Sequence, residues 1–117
     1  MKKNIVKDKS FKFAIRIINL NKHLVEQKKE YTLSKQLIRS GTSVGAMIRE
    51  SEHAESKADF IHKLAIAQKE INETIYWLEL LNETDYITKD EFESLNLDAT
   101  EVIKLLTSIL KSSKSNT

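Results

Sequence analysis

Apolar residues recur along this chain at steps of three and four, in four stretches separated by short polar links. That step is the helical period, because an α-helix returns to one face about every 3.6 residues. The first stretch predicts a helix from about Ser10 to Gln27, with apolar positions Phe11, Ala14, Ile15, Ile17, Ile18, Leu20, Leu24 and Val25. Lys28-Lys29-Glu30 is the first polar link. A second helix is predicted from about Thr32 to Glu52, with Leu33, Leu37, Gly41, Val44 and Ile48 as its stripe. The link from His53 to Ser56 is short, so helices two and three should form an antiparallel hairpin.

Helix three opens at Ser56, with Asp59 three residues on, a capping start signal. Phe60, Leu64, Ala67, Ile71, Ile75 and Leu78 form its inner stripe. Ile66, Trp77 and Leu80 fall on a second stripe, roughly 120° away at ~100° per residue. A helix with two apolar stripes touches two neighbours; a wide buried face or a subunit interface with an aromatic anchor would both use it. Thr88-Lys89-Asp90-Glu91 is a capping box that opens helix four, followed by Phe92, Leu95, Ala99, Val102, Leu106 and Ile109. The ends, about residues 1–9 and 111–117, are expected to fray. The expectation is an all-α fold: one domain over residues 1–117, an antiparallel up-down-up-down four-helix bundle.

One segment of helix two stands apart. Its middle carries Ser40, Gly41, Thr42, Ser43, Gly45 and Ala46, including both glycines of the chain. Glycine inside a helix costs about 1 kcal/mol relative to alanine. Two of them four residues apart imply close approach of another element to this helix.

Composition narrows the function classes. A chain of 117 residues with 40% hydrophobic and 31% charged residues is globular. It has no cysteine, hence no disulfide, thiolate metal site or cysteine nucleophile, in keeping with a cytoplasmic protein. Proline is absent, which favours long helices over hairpins. No apolar run reaches the ~18 residues of a membrane span. The N-terminal lysines precede no uninterrupted apolar core, so a signal peptide is not expected.

Charge is segregated. Residues 1–39 carry +8 and residues 40–110 carry −8, within a net charge of +2. Three readings stay open. The charges can be solvated faces that attract one another within a single bundle. They can mediate assembly, with a basic face on one subunit meeting an acidic face on the next. They can form a phosphate-binding surface for RNA or DNA on the early lysines and arginines, with Lys9, Lys12, Arg16, Lys35 and Arg39 as the expected contacts. Lys2, Lys3 and Lys7 extend that surface. Assembly and phosphate binding compete for the same lysines.

Glu50-x-x-His53 and Asp59-x-x-His62 have the spacing of carboxylate-bridged metal sites in four-helix proteins. Both pairs flank the link between helices two and three, at a bundle end. Such a site takes carboxylates from all four helices; helix one offers only Glu26, and helix four offers Asp98 and Glu101 without a matching histidine. His23 is isolated. There is no glycine-rich phosphate loop and no nucleophile elbow. The expectation is therefore a protein with no catalytic residues, no metal and no cofactor.

Leu33 to Arg39, the small-residue run from Ser40 to Ala46, Ile48 and Glu50 form one block. Ser56 to Phe60, Leu64, Ala67, Glu70, Glu73, Thr74 and Tyr76-Trp77-Leu78 form another. Together they resemble the bacterial four-helix-bundle family encoded by intervening sequences within 23S ribosomal RNA genes. The resemblance covers most of the chain and is strongest from Leu33 to Ile87. Many relatives carry Asn where this chain has Met47, and some carry Pro at Gly45. The resemblance implies a homopentameric ring. It also implies similarity to the accessory protein of diversity-generating retroelements, a basic pentameric barrel that binds nucleic acid and a reverse transcriptase. With it comes a looser ribosomal-protein-like label, which the weakly basic composition does not support.

Overall fold

Asn4 starts the first helix: its Oδ1 accepts the Lys7 backbone N–H at 3.1 Å. The computed structural model describes residues 4–115. Four helices follow one another: α1 (Ile5–Glu26), α2 (Leu33–Ser51), α3 (Lys57–Glu83) and α4 (Lys89–Ser115). The fold is all-α, as the spacing predicts. Each helix packs against the next, and α4 closes the ring against α1, while the diagonal pairs stay apart. The result is a four-helix bundle about 48 Å long and 25 × 22 Å across.

The expected starts of α3 and α4 are realised by their caps. Ser56 Oγ accepts the Asp59 N–H at 3.0 Å. Thr88 and Glu91 form the reciprocal capping box, at 3.1 and 2.8 Å. The Thr88 backbone N–H, the larger effect, holds the Glu91 carboxyl below the usual carboxylate range against the opposing push of burial. The ends differ from expectation. Residues 5–9 and 111–115 are helical, because Asn4 caps the chain ahead of Lys7 and the turns that bury Val6 and Leu110 carry the helices outward.

Helix α2 begins with an unexpected cap. Thr32 makes no side-chain cap bond. Glu30 takes its place: its carboxylate accepts the N–H groups of Thr32, Leu33 and Ser34 at 3.2, 3.0 and 2.7 Å. Burial pushes this carboxyl up, but the three N–H donors outweigh it and hold the pKa below the ordinary value. A residue of the expected polar link is thus buried and structural.

The α1–α2 and α3–α4 links turn without glycine. Lys29 and Asp85 adopt left-handed backbone, φ 56° and 67°. The residues after them bond back into the preceding helix, Glu30 N–H to the Leu24 carbonyl and Tyr86 N–H to the Leu81 carbonyl, both at 2.9 Å.

The core runs down the bundle axis. Phe13, Ile17 and Leu24 of α1 meet Leu37, Val44 and Ile48 of α2, Leu64, Ile71 and Leu78 of α3, and Leu95, Val102 and Leu106 of α4. Each such side chain contributes about 1.5–3 kcal/mol through its removal from water. Gly41 allows α1 in: a Cβ there would lie 2.8 Å from Ile17 Cγ2. Two stripes depart from expectation. In α1, Phe11, Ile15 and Ile18 are exposed and Phe13 is buried. In α3, Glu70, Thr74 and Leu81 are buried while Phe60 and Ile75 are only half-buried.

Candidate nucleic-acid interface and subunit contact

The five expected phosphate contacts do not share one surface. Lys9, Lys12 and Arg16 line the seam between α1 and α4, where the acidic face of α4 meets them. Arg16 donates to Asp98 Oδ2 at 2.7 Å and to Ser94 Oγ at 2.9 Å. Lys9 pairs with Glu101 at 2.5 Å. Lys12 lies beside this pair, in a shallow recess with Phe13 and Asp98, and makes no ion pair among the described residues. Just outside the five, Lys7 pairs with Glu52 at 3.0 Å. Lys2 and Lys3 lie outside the described residues.

Arg39 sits on the opposite side of α2, in the seam with α3. It donates to Glu73 at 2.9 Å and reaches Glu70 at 3.4 Å. The hydrogen bond to Glu73 and the nearby Glu70 charge raise its already high pKa. Lys35 stands apart and makes no ion pair among the described residues. It lines a groove of about 390 Å³ between α1 and α2, with Asn21, Val25, Tyr31, Ser34 and Ile38. Three of the five residues therefore spend their charge on carboxylates of their own bundle. Attraction between helices within one bundle accounts for that part of the charge segregation.

The expected subunit-contact residues lie on α3. Ile66, Trp77 and Leu80 are all half-buried. Trp77 also packs on the core, and its Nε1 is buried with no hydrogen-bond partner among the described residues. Tyr76 lies beside it, ring centres 5.1 Å apart, with 53% of its surface exposed.

A second apolar surface escaped the sequence reading. Phe11, Ile15 and Ile18 of α1 are 51%, 43% and 36% exposed. They form one stripe at steps of four and three, and the Arg49 guanidinium lies over the Phe11 ring at 5.1 Å. The signal was present: α1 holds two apolar stripes, and the one through Phe13, Ile17, Leu20 and Leu24 is the core.

The metal-like pairs are otherwise engaged. Glu50 pairs with Lys63 at 3.2 Å, and Asp59 accepts the Glu55 N–H at 3.2 Å. His53 and His62 are exposed. Among the described residues no group of three His, Cys, Asp or Glu side chains is placed to hold a metal ion. No helix among them is long and apolar enough to cross a membrane.

The comparisons agree with this architecture. No curated protein matches the sequence. A solved structure from Bacteroides thetaiotaomicron, described as a protein of unknown function from the S23 ribosomal protein family, is 63% identical. The match covers 92% of this chain and 99% of that one, with a TM-score of 0.91. The family described as 23S rRNA-intervening sequence protein matches residues 2–108. With nearly the whole bundle matched, this chain belongs to the 23S rRNA-intervening sequence protein family.

Proposed function

We propose that this chain is a non-enzymatic scaffold of the cytoplasm that works as a homo-oligomer. The observation behind the reading is the second apolar stripe of α1, Phe11, Ile15 and Ile18, which the fold leaves in solvent. Contiguous exposed apolar patches on soluble proteins mark contact surfaces. The half-buried Ile66, Trp77 and Leu80 of α3 supply further apolar area. A ring of five subunits is the form the family resemblance implies. Light scattering at micromolar concentration tests the reading: a mass several times 13.5 kDa is expected, and a monomer overturns it.

A second reading, association with RNA or DNA, is favoured by exposed cations that make no ion pair among the described residues: Lys12, Lys22, Lys29 and Lys35. Phosphate neutralisation would be nonspecific and salt-dependent, with a log–log slope of about −0.9 per contact on duplex DNA. A ring multiplies a modest site, raising affinity ~10²-fold or more when geometry permits. Lys9, Arg16 and Arg39 would have to leave their carboxylates to join. Binding at about 50 mM salt, lost in Lys12→Glu with Lys35→Glu, supports this reading. No binding by the wild type under that condition ends it, and leaves a protein partner, such as the reverse transcriptase the resemblance implies, as the scaffold's cargo.

A further inference from the structure

We infer that the outer face of α1 and α2 seats the outer face of α3 from a second copy of this chain, head to tail. This rests on the self-association reading and names the two surfaces that meet.

Residues 11–25 contain no acidic residue, and neither do residues 31–49. The face they build presents Phe11, Ile15 and Ile18 with the cations Lys22, Lys35 and Arg49. Residues 70–88 are the converse: five acids and no cation. Glu70 and Glu73 are taken by Arg39, while Glu79, Glu83 and Asp85 are exposed and make no ion pair among the described residues. Tyr76 and Leu80 lie on the same outer face at helical spacing, giving it an apolar centre. Each face thus carries an apolar strip flanked by one sign of charge, and the signs are opposite.

The groove beside Lys35 adds a chemical detail. Asn21, whose buried Oδ1 has no hydrogen-bond donor among the described residues, lies in its wall. Val25 and Ile38 give the wall an apolar part beside Ser34 and Lys35. Such a slot suits an aromatic ring with a hydroxyl at its tip. On the acidic face that group is Tyr76, half exposed and without a hydrogen bond among the described residues.

The placement of the two faces sets the symmetry. α1 and α3 are diagonal in the bundle and do not touch, so their outer faces are different surfaces of the molecule. A contact between unlike faces is heterologous and propagates, closing as a ring where the rotation between copies allows and extending as a filament where it does not.

Two surface variants test this. Ile15→Glu with Ile18→Glu removes the α1 face and leaves α3 intact; Tyr76→Lys with Glu79→Lys does the reverse. All four positions are on the outside of helices, and circular dichroism checks that each variant stays folded. Each variant alone is expected to be monomeric at micromolar concentration. Mixed one to one, they should form a dimer of twice the monomer mass and go no further, since each retains one working face. A wild type that assembles while the mixture stays monomeric overturns the inference but spares self-association. So does assembly of the Tyr76/Glu79 variant to the wild-type mass, which would make the contact α1 on α1. A monomeric wild type removes both readings together.

Discussion

Toward α1, helix α2 presents Gly41 and Gly45; toward α3, it presents Ser40 and Arg39. The first seam is limited by size at Gly41. Gly41 meets the Ile17 side chain, and Gly45 meets Ser10. The second seam is polar. Ser40 and Thr74 hydroxyls lie 2.9 Å apart, fully buried, with the Gln36 and Glu70 carbonyls as acceptors at 3.1 and 2.8 Å. Arg39 closes the same seam at the surface with Glu70 and Glu73. The same short stretch of helix thus solves close packing in two ways. Against an aliphatic neighbour it removes side-chain volume. Against a polar neighbour it keeps small hydroxyls that satisfy one another, since an unpaired buried hydroxyl is expensive.

The largest expected break is on the size-limited side. Gly41→Val would drive branched carbon into Ile17, whose atoms already lie 2.8–3.2 Å from the position of a Cβ. Overpacking of this kind costs about 2–3 kcal/mol, read by urea denaturation. Next is the cap that starts α2. Glu30→Gln loses charge from three backbone hydrogen bonds and is expected to cost about 1.5 kcal/mol at neutral pH. The pH dependence follows from the lowered pKa of Glu30. Its contribution is complete above the ordinary carboxylate range of the unfolded chain and is lost as pH falls through the folded-state value. Denaturation midpoints of wild type and Glu30→Gln should therefore converge in acid.

On the polar side, Thr74→Val keeps the shape and removes one hydroxyl from the pair with Ser40. Ser40 retains the Gln36 carbonyl, so the expected loss is about 1 kcal/mol. Adding Ser40→Ala should cost less than the two single changes summed, because both act on one pair. The smallest effect has the opposite sign. A Cβ at Gly45 would stand 3.5 Å from Ser10 Oγ, an ordinary contact. Gly45→Ala is expected to stabilise by somewhat under 1 kcal/mol, as helix propensity predicts. A gain at Gly45 beside a loss at Gly41 would separate the two glycines: only one is held by its neighbour.

Much of the bundle was legible from spacing and end signals. Leu37, Val44 and Ile48 are core as their stripe predicts, and Ser56 and Thr88 open their helices through bonds to residues three positions away. Such contacts are local, so the residues that make them can be seen together in the chain. The candidate interfaces were less legible. Arg16 and Asp98 are 82 residues apart, and Arg39 and Glu73 are 34 apart. Nothing in either neighbourhood reveals that these cations are neutralised within the bundle. Glu30 was hidden for a different reason. It caps from inside a run of polar link residues, through a left-handed turn at Lys29 that usually calls for glycine.

The sequence by itself determined four helices, most of their limits, a bundle architecture and the family, because periodicity and capping act within a few residues. Only the tertiary structure decided which of the two apolar stripes of α1 turns inward. Both stripes have helical spacing and comparable hydrophobicity, so a single helix has no basis for choosing. The contact with α2 goes with that choice: Gly41 admits Ile17, with Phe13, Ile17 and Leu24 in the core and Phe11, Ile15 and Ile18 facing water.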